Sequence, residues 1–324
     1  MGFEQVKAAS YYKYGIKGNL SFEHFTIKGN VTTYSADNKV TDSAAAATAI
    51  STGVKVKNKA ISFGSEGEEL TTILEMYKGC SKNTGLVTSA FITHATPASF
   101  AAHEENRNSY KKIPKDYFSQ TKPDLIFGGG HGGINVEEAE NAGYTLITDR
   151  ESFEKLDTES AQATLAIFGK NHMPYEFDDN SEYPHLSEMA IKALNILDNN
   201  DGFFLMIESG RIDHAGHDKK IERNIFETIE FSKTVDAILE WAKDNPQTLI
   251  IVTADHETGG LIVKNNKGKG EFPDIEWSSG GGHTASDVPI YSWGIGAEVF
   301  EGTLDNTDIF KRIVNLTNIA DCSP

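Results

Sequence analysis

A succession of strand-length apolar runs, separated by segments of helical periodicity, constrains this chain's fold more than any other feature. The runs are Gly85 to Ser89, Asp124 to Phe127, Tyr144 to Thr148, Thr164 to Phe168, Phe203 to Ile207 and Thr248 to Thr253. Several are apolar on both faces, as strands of a parallel sheet covered on each side must be. Between them, Leu70, Ile73, Leu74 and Tyr77 share one helical face, and Ile221, Ile225 and Ile229 share another. The alternation predicts an α/β, doubly wound fold with a mostly parallel central sheet and helices on both faces. No internal repeat divides the 324 residues, so one domain spanning 1–324 is expected. In such folds, reactive side chains gather at the carboxyl ends of the strands.

Charge narrows the function. The formal net charge is −17, from 47 acidic and 30 basic residues. A field of that sign repels polyanions, so no nucleic-acid partner is expected. It also repels small anionic substrates, which would need a local source of positive charge such as bound metal ions. No apolar run approaches the length of a membrane span, so no membrane partner is expected either. Met1-Gly2-Phe3-Glu4-Gln5 lacks the basic and apolar regions of a signal peptide. Cys80 and Cys322 form no metal-binding or redox spacing and read as structural thiols. Residues 103–122 and 264–280 are polar and read as surface excursions.

Five short motifs could carry chemistry. In Thr41-Asp42-Ser43-Ala44-Ala45-Ala46-Ala47-Thr48-Ala49, the alanines favour a helix that Thr41 or Asp42 can cap. Ser43 would then lie in the first turn, where free amides and the helix dipole favour an alkoxide or a bound phosphate. Taken alone, Ser43 reads more readily as part of the cap. No GxSxG elbow occurs, which disfavours an ordinary serine esterase. Glu208-Ser209-Gly210-Arg211-Ile212-Asp213-His214-Ala215-Gly216-His217 follows an apolar run directly. The four-residue interval from Asp213 to His217 puts an oxygen and a nitrogen ligand on one face, a set suited to zinc. Glu208 suits a harder ion such as magnesium. Thr253-Ala254-Asp255-His256 again leaves a strand, and Gly280-Gly281-Gly282-His283 offers another imidazole beside permissive backbone. The fifth motif, His94-Ala95-Thr96-Pro97, opens a helix at Pro97 and is followed by Arg107 roughly three turns on. A guanidinium there could grip two phosphate oxygens, although an arginine on a polar helix could as well be solvated.

Together and in this order, the motifs resemble the successive signatures of the alkaline phosphatases, from the N-terminus to about residue 290. The resemblance implies hydrolysis of phosphate monoesters, with inorganic phosphate as product, through a phosphoserine on Ser43. It implies a first zinc on Asp213, His217 and His283, a second zinc on Asp255 and His256, and one magnesium on Thr96 and Glu208. Arg107 would bind phosphate and Asp42 would orient it. His94 and His214 would flank the magnesium and tune it, and His103, near the phosphate-binding helix, reads as structural. A periplasmic or extracellular location and a homodimer are further implications of the family.

One departure bears on activity. The family carries a Gly-Asp-Gly-Met-Gly turn after its first strand, whose aspartate bridges the second zinc and the magnesium. This sequence opens at Met1-Gly2, matching only the end of that turn. The expectation is a catalytic domain whose first strand and bridging aspartate lie outside this sequence, and which binds metal poorly without them. Two rivals stand beside the main reading. One is a phosphodiesterase of the same superfamily. The other is a non-catalytic zinc protein, which the intact Ser43 and Arg107 argue against.

Overall fold

The structure is a computed structural model. It describes residues 1–130, 133–179 and 181–322, apart from the side chains of Asp321 and Cys322. Among the described residues, nine strands form the two larger sheets: β1 (Ile27–Thr32), β2 (Asn83–Phe91), β3 (Leu125–Gly129), β4 (Thr145–Ile147), β5 (Thr164–Phe168), β6 (Phe203–Glu208), β7 (Leu249–Val252), β8 (Val288–Gly294) and β9 (Gly302–Asp305). The first sheet has the order β4-β5-β3-β2-β6 and is parallel throughout. The second, β9-β1-β8-β7, is mixed, with β8 antiparallel to both neighbours.

The runs that form β2, β3 and β5 become strands because both their faces are buried. In β3, Leu125 and Phe127 enter one core with Val87, Ala166, Phe168 and Met189. Ile126, between them, enters the opposite core with Leu86, Leu165, Phe100 and Tyr117. The two-residue period thus feeds a layer of side chains on each face, which is the doubly wound arrangement expected. The run at 248–253 differs from the others. It forms β7, whose one strand neighbour among the described residues is the antiparallel β8.

A slot of about 1260 Å³ separates β6 from β7, lined without a break by Phe203–Gly210 and by residues 246–255. Met1 also lines it, and its ammonium donates to the His256 carbonyl at 2.8 Å, just past the end of β7. Both flanking strands end in candidate site residues at the same end of the slot, so β6 and β7 run in the same direction.

The polar stretch 103–122 is not a surface excursion. Ile113, Tyr117, Phe118 and Thr121 are buried, and the Tyr117 hydroxyl donates to the Ile92 carbonyl at 3.0 Å. Its charged residues masked an apolar stripe at helical spacing. By contrast, 264–280 is mostly exposed apart from Asp274–Trp277, which pairs with Leu261–Asn265. The Cys80 thiol lies 3.5 Å from the Ile319 carbonyl, and the Cys322 side chain is outside the described residues. Among the described residues, no helix is long and apolar enough to cross a membrane.

Candidate active site

Ser43 opens the helix Ser43–Thr52, capped by the Asp42 carboxylate, which accepts from the Ala45 amide at 3.1 Å. Gly53 closes it in the left-handed conformation (φ 72°), which costs a glycine nothing. The alanines are buried and let this helix pack closely on the helix Ala95–Ala101. Ser43 is therefore held rigidly, nearly buried, at the positive end of a helix. The other Asp42 oxygen accepts from Arg107 at 3.1 Å, so the cap residue also aims the arginine. Arg107 does not ride on a helix as the spacing suggested. The helix ends at Ala101, and Arg107 sits in the following loop, its amide bonded to the Lys59 carbonyl at 2.8 Å.

Asp213 and His217 project from the helix Arg211–His217, their side chains 3.3 Å apart. His283 reaches them through backbone pairing: it is the register partner of Thr258 in a two-stranded ladder, Glu257–Thr258 against His283–Thr284. Gly281 makes the approach possible. Its φ is +97°, and a Cβ there would lie 2.5 Å from the His217 carbonyl. Its own carbonyl is 2.6 Å from His217 Nδ1, and the Thr41 carbonyl is 2.8 Å from His283 Nδ1.

These two carbonyls decide the chemistry of the cluster. A carbonyl only accepts, so Nδ1 of each ring carries a proton, and in the neutral imidazole each Nε2 turns a lone pair inward. The two Nε2 atoms stand 3.1 Å apart, with Asp213 Oδ1 3.7 Å from that of His283. Two lone pairs and a carboxylate pointed at one another repel unless a cation lies between them. Ligand atoms of all three residues fall within 4.8 Å of one another, and an N₂O donor set of this kind fits zinc. Burial by itself would raise the Asp213 carboxyl, but His217, His256 and His283 hold it well below the usual carboxylate range.

A second group faces Ser43. The Ser43 hydroxyl oxygen is 3.0 Å from His256 Nε2, which is 3.1 Å from the Asp255 carboxylate. His256 Nδ1 lies 3.2 Å from the Thr258 hydroxyl, and that hydroxyl donates to Asp213. With its proton given to Asp213, the Thr258 oxygen can only accept, so His256 also carries its proton on Nδ1 and points Nε2 at Ser43. Burial opposes ionisation of Asp255, yet the neighbouring imidazole and the Met1 ammonium hold it ionised far into acid.

A third group lies at the end of β6. Glu208 accepts from Thr88, its register partner on β2, and from Thr96. Burial, with the charges of Asp255 and Asp213, lifts its pKa to about 7. A buried carboxylate crowded by like charges fits a hard divalent cation. Beside it, His94 lies 3.5 Å from an Arg107 nitrogen, and His214 accepts from Arg211 at 3.1 Å. Burial keeps both imidazoles neutral, His94 well below its ordinary value and His214 at about 4. His94 Nδ1 is buried without a partner.

Sequence reasoning missed Thr258, Thr88 and His172. The His172 ring lies tilted against His214, with centroids 4.2 Å apart, and accepts from the Phe91 amide at 3.2 Å. Thr258 had a visible signal, a hydroxyl two residues beyond His256; His172 had none. His103 stands apart from the site, paired with Glu75 at 3.1 Å, in keeping with a structural part.

The alkaline phosphatase family profile matches residues 1–275. The chain belongs to the alkaline phosphatase family. It is 32% identical to alkaline phosphatase 3 of Bacillus subtilis, covering 97% of this chain and 86% of that one. It is 29% identical to the Escherichia coli alkaline phosphatase, over 96% of this chain and 82% of the relative. Alkaline phosphatase from the Antarctic bacterium TAB5 superposes with a TM-score of 0.87 at 30% identity, covering 98% of this chain and 95% of the other. A histidine-to-glutamate variant of that enzyme has been solved with magnesium bound. Membership of this family makes the chain a phosphatase that hydrolyses phosphate monoesters, and it supports metal cofactors.

Proposed function

We propose that Ser43 is the nucleophile of a two-step phosphoryl transfer. The observation that carries this reading is the position of its hydroxyl: first turn of a helix, 3.0 Å from an inward-facing imidazole nitrogen, beside an arginine clamped by the cap residue. Asp213, His217 and His283 would hold one zinc, Asp255 and His256 a second, and Thr96 and Glu208 a magnesium. These ions, when bound, supply the positive charge that favours an ionised serine and a departing alkoxide.

In the first step the Ser43 oxygen forms a bond to phosphorus as the ester P–O bond breaks and the alcohol leaves with a proton. Arg107 grips two non-bridging oxygens, and Asp42 holds it in place. In the second step water attacks the phosphoserine from the opposite side, releasing inorganic phosphate and restoring Ser43. Two in-line displacements give net retention at phosphorus. A diester leaves fewer free oxygens for Arg107, so monoesters are preferred.

Ser43→Ala tests the reading. Turnover of p-nitrophenyl phosphate should vanish while metal content persists, and acid-quenched wild-type enzyme should carry phosphate on Ser43. Wild-type turnover by the variant would refute it. Faster hydrolysis of bis(p-nitrophenyl) phosphate than of the monoester would favour the diesterase instead.

The same reading treats 1–324 as one catalytic domain and the slot between β6 and β7 as the seat of a further strand. A segment ending in Gly-Asp-Gly before Met1 would lie along both edges and bring its aspartate to the Asp255 end. Appending it should raise both metal content and turnover. Full turnover with two zincs bound by the 324-residue chain alone would count against it.

A further inference from the structure

Among the described residues, one set of side chains outside the candidate active site meets the same ligand geometry. Glu176, His185 and Glu230 each offer an atom, and all lie within 4.8 Å of one another. They come from three elements: the short turn Glu176–Asp178, the residue capping the helix Leu186–Leu197, and the middle of the helix Ile221–Ala242. We propose that Glu176, His185 and Glu230 form a further divalent-cation site, suited to zinc, that staples these three elements together.

Zinc at ~2.1 Å from tetrahedral ligands sets neighbouring ligand atoms roughly 3.4 Å apart, and the three candidate atoms here lie within 4.8 Å of one another. His185 Nδ1 already stands 2.7 Å from Glu176 Oε2. Glu230 is buried, and its Oε1 is fixed by the Ser187 amide at 3.0 Å, leaving Oε2 to face outward. Lys233 Nζ lies 3.4 Å from that oxygen, and its side chain is mostly in solvent. One turn earlier, Glu227 is also buried and accepts from the Glu176 amide at 2.9 Å. The Glu176 and Glu230 carboxylates therefore flank a single imidazole, a donor set that a divalent ion can bridge.

The site also has a route to the reaction centre. Tyr175, next to Glu176, lies under the Arg211 guanidinium at 3.6 Å, and Arg211 donates to His214. A cation at Glu176 would brace the turn that carries Tyr175.

The experiment strips the full chain with a chelator, re-equilibrates it with zinc, and counts zinc per folded chain for wild type, His185→Ala and Glu230→Gln. Glu230→Gln keeps an acceptor for the Ser187 amide and so preserves the fold should His185→Ala not. Each variant should hold one zinc fewer than wild type, and the loss should add to that caused by Asp213→Ala, which empties a different site. Zinc should raise the melting temperature of Asp213→Ala more than that of the Asp213→Ala/Glu230→Gln pair, which retains only Asp255 and His256. Equal zinc content in wild type and Glu230→Gln would overturn the proposal and leave Glu176 and His185 as an ion pair, without touching the reading of Ser43.

Discussion

Replacing His103 should change how stability depends on alkaline pH. The His103 ring is almost wholly buried, with Nδ1 3.0 Å from the Ser62 carbonyl and Nε2 3.1 Å from the Glu75 carboxylate. Both partners accept, so both ring nitrogens must donate, and only the imidazolium can satisfy them. Burial by itself would lower the pKa of His103, but the hydrogen bond and charge of Glu75 win and raise it from 6.5 to about 9. A shift of that size corresponds to about 3 kcal/mol, an upper figure because Glu75 keeps some contact with water. The folded state binds this proton more tightly than the unfolded state. The contribution is therefore complete below pH 6.5 and fades as pH rises through about 9. Urea unfolding followed by tryptophan fluorescence, for wild type and His103→Gln, should show wild type ahead at low pH. That lead should shrink by about 3 kcal/mol between roughly pH 6 and pH 10. Glu75→Gln should flatten the same limb. A lead that stays constant to within about 0.5 kcal/mol across the range would show that His103 is buried neutral and that the pairing argument is wrong.

Three other outcomes follow from the site. Arg107→Lys keeps the charge but loses the planar fork, and should lower kcat/KM for p-nitrophenyl phosphate by roughly 100-fold, equivalent to about 3 kcal/mol. Unchanged kcat/KM would remove Arg107 from the phosphate site. Thr258→Val takes away the hydroxyl that orients both Asp213 and His256, and should weaken zinc binding by about 10- to 100-fold in a chelator competition. Thr258→Ser should recover it, and equal affinity in all three proteins would contradict the tautomer assignment. Gly281→Ala forces a Cβ onto the His217 carbonyl at a left-handed φ and should cost about 1–3 kcal/mol of stability together with zinc affinity; a melting curve and metal content identical to wild type would exclude that crowding.

Much of this protein was legible before any coordinates. Apolar runs such as 124–127 and 164–168 are strands because a sheet covered on both faces leaves no polar alternation to read, and sequence alone marks that. Asp213 and His217 needed only the pitch of a helix to come together. Ser43 needed only a cap and four alanines to reach the start of one. The separation of β7 from the parallel sheet was not legible, because its residues are as apolar as those of β6 and pairing partners are non-local. The same holds for the buried stripe at 113–121, hidden among lysines and acids. Local pattern therefore named the candidate ligands, but only tertiary structure oriented them. The inward lone pairs of His217 and His283 exist because the carbonyls of Gly281 and Thr41, one 64 residues and the other 242 residues away, fix their protons. A hydrogen bond acts through space over about 3 Å, and a one-dimensional string does not record which distant atoms come that near.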